Sequence, residues 1–444
     1  MDDETLVIID SMITTGNEKV RDIVIYGESR LKEGQQIPIK TLREELLNSR
    51  RNLLNTRLFN EVELLIFKWT NENHVSIEFE VDERWYIYPL PVVELTGITF
   101  REWREEFDYD IERLTYGTSV QHNNLTGRGD RLNVDWRGGF QHQYKFNYFL
   151  PGIDKERNWG LGGGISFIRN KGTVIDAVNN QFDSELFNDF VFEGQGAQLS
   201  LSRRRDINKR HGLRVGFQRI EIGDTIQDLT PNFFVDGNEE LAYGTLGYNL
   251  VFEKRDLSEY PTDGEFLFAD LSYSGLFNND FDQLRFTGNF NYYQPLSEKF
   301  FASAGVHMRY TPVYADAFNT LATSRASDLQ LPRGYNDFQI FPISFGTIKS
   351  ELRYRVLDKK FYKVPILPDR FKPVPLKIYP KIYLDGGQTF TADFDTQNPL
   401  NDEFLYSFGV GVDLVTIYNT PFLIEFGQNH FGETNLNFGI GKSF

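Results

Sequence analysis

The chain of 444 residues contains no cysteine, which excludes disulfides and cysteine-bound metal clusters. Its six histidines are scattered without the paired spacing of metal ligands. The formal net charge of −16 argues against a nucleic-acid partner, because phosphate binding needs a basic surface. A Gly-x-Ser-x-Gly lipase motif is also absent from the sequence. We therefore expect no enzyme activity, no cofactor, no metal and no bound nucleic acid.

Long hydrophobic runs are missing too, so no transmembrane helix is expected. The mean hydropathy of −0.42 would fit a soluble protein. A transmembrane barrel gives a similar value, because only every second residue faces lipid. Aromatic residues make up 15% of the chain, with 40 Phe and 22 Tyr beside 37 Gly, which indicates many strands. No secretory signal precedes Asp2, so we expect a mature or trimmed form.

The first ninety residues carry the pattern of a small β-α-α-β-β domain. The second helix is expected to bury Leu42, Leu46 and Leu47 on one face. The predicted elements are a strand over Leu6–Met12, a helix ended by Gly34, a helix from Ile39 to about Leu54, and strands over Val62–Trp69 and Val75–Val81.

Four segments of this domain resemble a POTRA (polypeptide-transport-associated) domain in their order and spacing. They are Gly16–Val20, Lys32–Gly34, Arg57–Val62 and Val81–Glu83. The resemblance implies a periplasmic POTRA domain over residues 1–88. Its sheet edge would receive unfolded chains by strand addition, which demands little of their sequence. The alternative is an unrelated small α/β domain.

The rest of the chain is a series of segments with a period of two. In the last one, Leu436, Phe438 and Ile440 share one face, and polar or glycine residues share the other. An apolar outside with a polar inside is typical of a membrane barrel. Sixteen strands are predicted, with centres near Val93, Val120, Val134, Tyr148, Gly164, Leu199, Val215, Tyr248, Ala269, Asn289, Ala304, Leu352, Ile382, Gly411, Ile424 and Gly439.

The connections between these strands alternate in length. Odd-numbered ones such as Lys171–Val191 and Asp224–Glu240 are generally long, and even-numbered ones such as Tyr418–Thr420 are mostly short. A barrel shows this parity as long outer loops and short periplasmic turns, whereas a soluble sandwich has no reason to show it. The predicted fold is therefore an α+β POTRA domain followed by a 16-stranded antiparallel transmembrane β-barrel over residues 89–444. The sixth outer loop would span about 312–344.

Five motifs in this second part resemble the BamA/TamA superfamily of outer-membrane assembly and translocation proteins. They are Asn124–Asp130, Lys254–Asp256 with Pro261–Gly264, Leu331–Tyr335, Tyr383–Gly387 and Ile440–Phe444. The resemblance implies a Gram-negative outer-membrane protein whose partners are the bilayer and unfolded outer-membrane or secreted polypeptides. Periplasmic chaperones or lipoproteins are further candidate partners. The substrates and the oligomeric state stay open.

A lumenal clamp is the first feature that the resemblance implies. The alternation of residues points Glu351 and Asp385 into the barrel. The resemblance implies that the sixth loop folds back with Arg333, Gly334 and Tyr335 at its tip, and that Arg333 meets these two carboxylates. A guanidinium can bind a carboxylate through two parallel hydrogen bonds. The alternative is that Arg333 lies in a mobile outer loop.

A lateral seam is the second feature. The first strand, around Val93, contains Pro91, which cannot donate to a ladder. The closing strand, which ends at Phe444, contains Gly439 and Gly441, which weaken it. A barrel whose first and last strands pair poorly can open and present an edge to an incoming strand.

Three functions remain to be separated. The first is insertion of outer-membrane proteins through the seam, and the alternative is a two-partner-type secretion pore that uses the lumen. The third is a structural or solute-channel barrel, which a lumen blocked by the sixth loop argues against. The connection Asp358–Pro375 is unusually long for a periplasmic turn, and it either docks a partner or is a proline-stiffened loop.

Overall fold

The computed structural model describes residues 3–70, 73–95, 98, 100–231, 233–234, 237–278, 280–314, 330–336, 338–361, 374–391 and 397–441. Its N-terminal domain has a four-stranded sheet in the order β2-β1-β4-β3, covered by two helices. Strands β1 and β4 are parallel, and the other neighbours are antiparallel. The elements are β1 (Leu6–Thr15), α1 (Asp22–Gly27), β2 (Gln36–Pro38), α2 (Ile39–Asn55), β3 (Phe59–Trp69) and β4 (His74–Glu83).

Two details of this domain differ from the prediction. Helix α1 ends at Gly27 rather than near Gly34, and a short edge strand, β2, follows it. Leu31 is still buried, because an extended segment can fill a core as well as a helix. On α2, Leu42 is buried but Leu47 is 65% exposed. Five residues rotate a helix by about 500°, which carries Leu47 off the buried face.

The remaining strands build one large antiparallel sheet that curls into a barrel. β10 and β11 form a separate hairpin, and β18 and β19 both pair with β20, so the barrel has sixteen strand positions. The strands are β5 (Ile87–Leu95), β6 (Leu114–His122), β7 (Arg131–Gly139), β8 (Gln141–Leu150), β9 (Trp159–Asn170), β10 (Gly172–Val178), β11 (Gln181–Leu186), β12 (Phe192–Asp206), β13 (Lys209–Ile222), β14 (Glu240–Glu253), β15 (Gly264–Leu276), β16 (Gln283–Pro295), β17 (Phe300–Val313), β18 (Ser344–Tyr354), β19 (Leu357–Phe361), β20 (Val374–Phe390), β21 (Phe404–Val415), β22 (Pro421–Asn429) and β23 (Thr434–Ile440).

The predicted sixteen-stranded barrel is confirmed, since every predicted strand centre lies inside one of these strands. The alternation is also present. Ile382 and Leu384 are 57% and 60% exposed on the outer face. Tyr383, which lies between them, and Asp385, which follows them, are buried inside. The outer face is therefore apolar and the inner wall polar, as a bilayer requires.

The connections follow the predicted parity with exceptions. The third, between β7 and β8, is Phe140 alone, and the fifteenth is only 430–433. The predicted long turn Asp358–Pro375 is partly strand, because β19 pairs with the start of β20; residues 362–373 lie outside the described part. Two short helices, α3 (Phe100–Glu105) and α4 (Asp224–Leu229), lie in odd-numbered connections. None of the helices in the described part is long and apolar enough to cross a membrane.

The N-terminal domain packs against the even-numbered turns, which therefore lie at one end of the barrel. The backbone N–H of Arg21 donates to Gly127 at 2.9 Å, and Asn55 donates to Arg255 at 2.9 Å. A Cβ on Gly127 would lie 2.5 Å from the Lys19 carbonyl oxygen, so this approach requires glycine. We call this end the proximal end and the opposite one the distal end.

The motif Asn124–Asp130 forms the first of these proximal turns. Asp130 accepts hydrogen bonds from the Thr126 backbone at 2.9 Å and from the Tyr148 hydroxyl at 2.9 Å. Burial alone would raise the pKa of Asp130, but these hydrogen bonds outweigh it and lower the pKa. The carboxylate thus holds the turn in the shape that receives the N-terminal domain.

Candidate functional site

Arg333 lies in the connection between β17 and β18, the predicted sixth outer loop, and is buried inside the barrel. Its Nε and Nη2 atoms each donate to one carboxylate oxygen of Asp385 at 2.7 Å. Its backbone N–H donates to the same carboxylate at 3.1 Å. This two-pronged geometry is the strong form of a guanidinium–carboxylate pair. The loop tip is thereby fixed to the middle of β20.

Two further carboxylates meet the same guanidinium. Nη1 of Arg333 lies 3.2 Å from Glu351 and 3.0 Å from Glu425. The planar group also lies 3.8 Å from the ring centroid of Tyr383, within the range of a cation–π contact. The structure therefore brings together Arg333, Glu351 and Asp385 as the sequence places them, and adds Glu425 and Tyr383.

Three further cations complete the cluster. The Nζ atom of Lys381 lies 2.8 Å from both Asp413 and Glu425, and 3.4 Å from Glu351. Lys349 is the register partner of Asp385, across β18 and β20. The lumenal cluster thus has four cations and four anions. They are Arg333, Lys349, Arg353 and Lys381 with Glu351, Asp385, Asp413 and Glu425.

The rest of the loop tip is held separately. Gly334 has φ of +91°, a conformation that favours glycine, and its carbonyl accepts from Asn429 at 3.2 Å. The buried Tyr335 hydroxyl donates to the Tyr406 carbonyl at 2.9 Å and lies 2.6 Å from Nδ1 of His430. The Arg-Gly-Tyr tip therefore contacts β20, β21 and β22.

A proximal turn reaches the cluster from the other side. Tyr260, in the turn between β14 and β15, donates its hydroxyl to Asp413 at 2.9 Å. Arg353 donates to the carbonyl of Pro261 at 2.7 Å and lies 3.6 Å from Glu351. The cluster consequently joins one distal loop, one proximal turn and the wall from β18 to β22.

The opposite wall keeps open space. A cavity of about 560 Å³ is lined by polar residues of β8, β9 and β12–β16, among them Lys145, Gln198, Gln218 and Arg214. At the distal end the β10–β11 hairpin covers the barrel. Its Asn180 accepts from the Leu400 backbone at 3.0 Å and donates to Asn401 at 3.1 Å.

The seam residues are placed as follows. Val93 is 74% exposed on the outer face, as are Phe438 at 69% and Ile440 at 74%. Gly439 alternates with these two residues and so faces inward. Gly441 directly follows the end of β23 with φ of +113°, and its weakening of the closing strand stays a prediction. Phe444 lies outside the described residues.

The sequence analysis missed Lys381, Asp413 and Glu425 as members of the cluster. Each is a charged residue at an inward position of a strand, between outward apolar neighbours such as Ile424 and Phe426. Counting inward charges on all strands would have found them. In the described part of the chain, no group of three or more His, Asp or Glu is arranged to hold a metal ion.

Comparison with known proteins finds one family model that matches part of the chain. The Omp85 superfamily domain matches residues 124–336, from the turn after β6 to the tip that carries Arg333. BamA from Haemophilus ducreyi, in a crystal structure lacking POTRA domains 1–3, has a TM-score of 0.52 and 14% identity, over 98% of this chain and 84% of that one. CdiB from Escherichia coli has a TM-score of 0.55 and 13% identity, over 98% and 75%.

At these identities the two solved structures show a shared fold. No sequence among the curated proteins matches this chain. The strand count, the loop tip inside the barrel and the matched domain agree with one another. The chain therefore carries an Omp85 superfamily domain, and its resemblance to this superfamily of outer-membrane assembly and translocation proteins is confirmed.

Proposed function

We propose that this protein inserts other polypeptides into the outer membrane by templating their strands at the seam between β5 and β23. Members of the Omp85 superfamily work on polypeptide substrates in the outer membrane. One observation carries the proposal. The barrel closes between β5 and β23, where a closing strand of seven residues meets a strand that contains two prolines.

A weakly paired seam favours strand exchange for an energetic reason. Each backbone group left without a partner in the bilayer is unfavourable by several kcal/mol. Pro89 and Pro91 lie within β5 and remove two donors from it. An incoming strand that pairs with β5 or β23 would satisfy the remaining groups, so the edge itself attracts a substrate strand.

The N-terminal domain supports the same function as a POTRA domain in the periplasm. Among the described residues its sheet ends in β3, an edge strand of eleven residues. Leu65, Phe67 and Trp69 on this strand are exposed. An exposed apolar edge can accept an extended chain by strand addition. The domain would then pass that chain to the proximal end of the barrel.

Secretion through the lumen is the second candidate, and the polar cavity on the wall of β8–β16 favours it. A volume of about 560 Å³ could form part of a path for an extended chain. The loop tip that carries Arg333, however, lies against the opposite wall of the lumen, where three carboxylates bind Arg333. We rank the seam first because passage through the lumen would need this tip or the distal hairpin to move.

Photo-crosslinking separates the two candidates. We expect a crosslinking residue at Val93 or Phe438 to capture substrate chains, because both side chains point outward beside the seam. Leu199 serves as the control, since it is 63% exposed to the outside on the far side of the barrel. Gln198 lines the lumenal cavity. Capture at Gln198 without capture at Val93 or Phe438 would favour the pore.

The proposed topology predicts a labelling pattern. Asp228, in the distal connection Asp224–Glu240, should lie outside the cell, and Glu63, in the N-terminal domain, should lie in the periplasm. Both side chains are exposed. A cysteine at Asp228 should react with an impermeant maleimide on intact cells, and one at Glu63 only after permeabilisation. The native chain, which has no cysteine, is the blank. The reverse pattern would contradict the topology.

A further inference from the structure

Six arginines surround one cavity of about 290 Å³ between the N-terminal domain and the barrel. Among its lining residues the acids are Glu28 and Glu253, so the lining carries an excess of four positive charges. The whole chain, in contrast, has a net charge of −16. We call this space the junction cavity. Its arginines are Arg57, Arg131, Arg157, Arg204, Arg210 and Arg255.

Both acids of the junction cavity are already engaged. Arg204 donates to the two oxygens of Glu28 at 2.7 and 2.6 Å. Arg255 donates from Nε to Glu253 at 2.8 Å. Within each pair the two charges cancel, so the lining has no further carboxylate to neutralise its other arginines.

Arg57 lies 3.6 Å from Glu259, outside the lining, so three arginines keep donor capacity. Arg157 is 5% exposed, and its Nη1 donates to the Arg128 carbonyl at 3.0 Å, but its buried Nε has no hydrogen-bond partner in the described part. Arg131 and Arg210 make no ion pair in the described part, and the guanidinium of Arg210 lies 6.0 Å from the ring centroid of Phe149. All three side chains line the junction cavity.

The local electrostatics at Arg157 favour binding of an anion. Burial lowers the pKa of Arg157, the carboxylate of Glu28 offsets part of this effect, and Arg204 and Arg128 lower the pKa further. Like charges held together in a partly water-excluded site repel one another. An anion in the junction cavity would remove this repulsion and add charge-assisted hydrogen bonds.

We propose that the junction cavity binds a phosphate-class anion, either a free ion or the headgroup of an anionic phospholipid. The planar guanidinium fork matches phosphate oxygens, and several forks around one space can share one group. A water occupies ~30 Å³, so the cavity has room for a small anion with some water but not for a folded segment. The bound group would connect the N-terminal domain to β7, β13 and the proximal turns.

Calorimetric titration of the whole chain in a non-ionic detergent tests this site. The probes are inorganic pyrophosphate and a short-chain phosphatidylglycerol, with short-chain phosphatidylcholine, whose phosphate is balanced by a choline cation, as the comparison without net charge. We expect one saturable site, weakened at least about tenfold in R131Q/R210Q, because each substitution removes charge-assisted hydrogen bonds to the anion. Arg205→Gln is the matched control, because Arg205 is exposed and lies on β12 outside the cavity lining.

Two different binding results would support the proposal. Saturable binding of pyrophosphate identifies a free anion, and binding of phosphatidylglycerol alone identifies a headgroup; either supports the proposal if R131Q/R210Q loses it. The single variants R131Q and R210Q, each checked for folding by heat-modifiable gel migration, replace the double variant if that one is unfolded. The proposal is overturned if neither probe saturates, if the folded variants bind as the parent does, or if R205Q weakens binding equally.

Discussion

Replacing Arg333 with alanine is expected to lower the heat stability of the barrel strongly and to reduce substrate assembly. The change removes one of the four cations from the lumenal cluster. Asp385 and Glu351, whose side chains are fully buried, then lose the cation that neutralises them. Removing one partner of a buried ion pair typically costs about 3–5 kcal/mol. The measurement is the temperature at which the folded, fast-migrating form on a gel converts to the unfolded one.

Two controls identify the cause of the loss. Arg333→Lys keeps the charge but cannot make the two-pronged contact with Asp385, so it should be intermediate. Arg355→Ala removes a half-exposed pair with Asp358 at 3.5 Å and should have little effect, since exposed pairs contribute about 0–1 kcal/mol. If Arg333→Ala matched the parent in both heat stability and assembly, the clamp would have no role.

The strands of this protein could be predicted because a membrane barrel repeats one local rule along the chain. Each strand needs apolar residues at alternate positions, and this rule is visible at Ile382 and Leu384 without knowledge of their neighbours. The same alternation places Glu351 and Asp385 inside. Their meeting with Arg333 followed from the family resemblance, because a loop that folds back leaves no periodic signal.

The features that could not be predicted from the sequence depend on packing between segments far apart in the chain. Lys381 and Glu425 contact each other only because the register of β20, β21 and β22 brings them to one level of the lumen. The early end of α1 and the formation of the edge strand β2 likewise depend on contacts with neighbouring strands of the sheet. Contacts such as that between Glu28 and Arg204 join residues 176 positions apart, which no local pattern encodes.

A disulfide across the seam is expected to stop the proposed insertion activity until it is reduced. The structure refines the choice of positions, because Val93 faces outward and Gly439 faces inward, so these two cannot be bridged as a pair on one face. Val93 should instead be combined with Phe438 or Ile440, which share its outer face. Bridging needs Cα atoms within about 7 Å, so both registers are tested. The native chain has no cysteine that could form another bridge.

The matched control places cysteines at Val215 and Leu246, which are register partners on β13 and β14 and both point outward. That joint is already paired along its length, so closing it should change nothing. An insertase should lose assembly activity when the seam pair is oxidised and recover it when a reductant opens the bridge, since the β5 and β23 edges become available again. A lumenal pore should work with its seam shut. Full activity of a verified seam-crosslinked form would contradict insertion through the seam. It would favour secretion through the lumen, along the polar cavity lined by β8–β16.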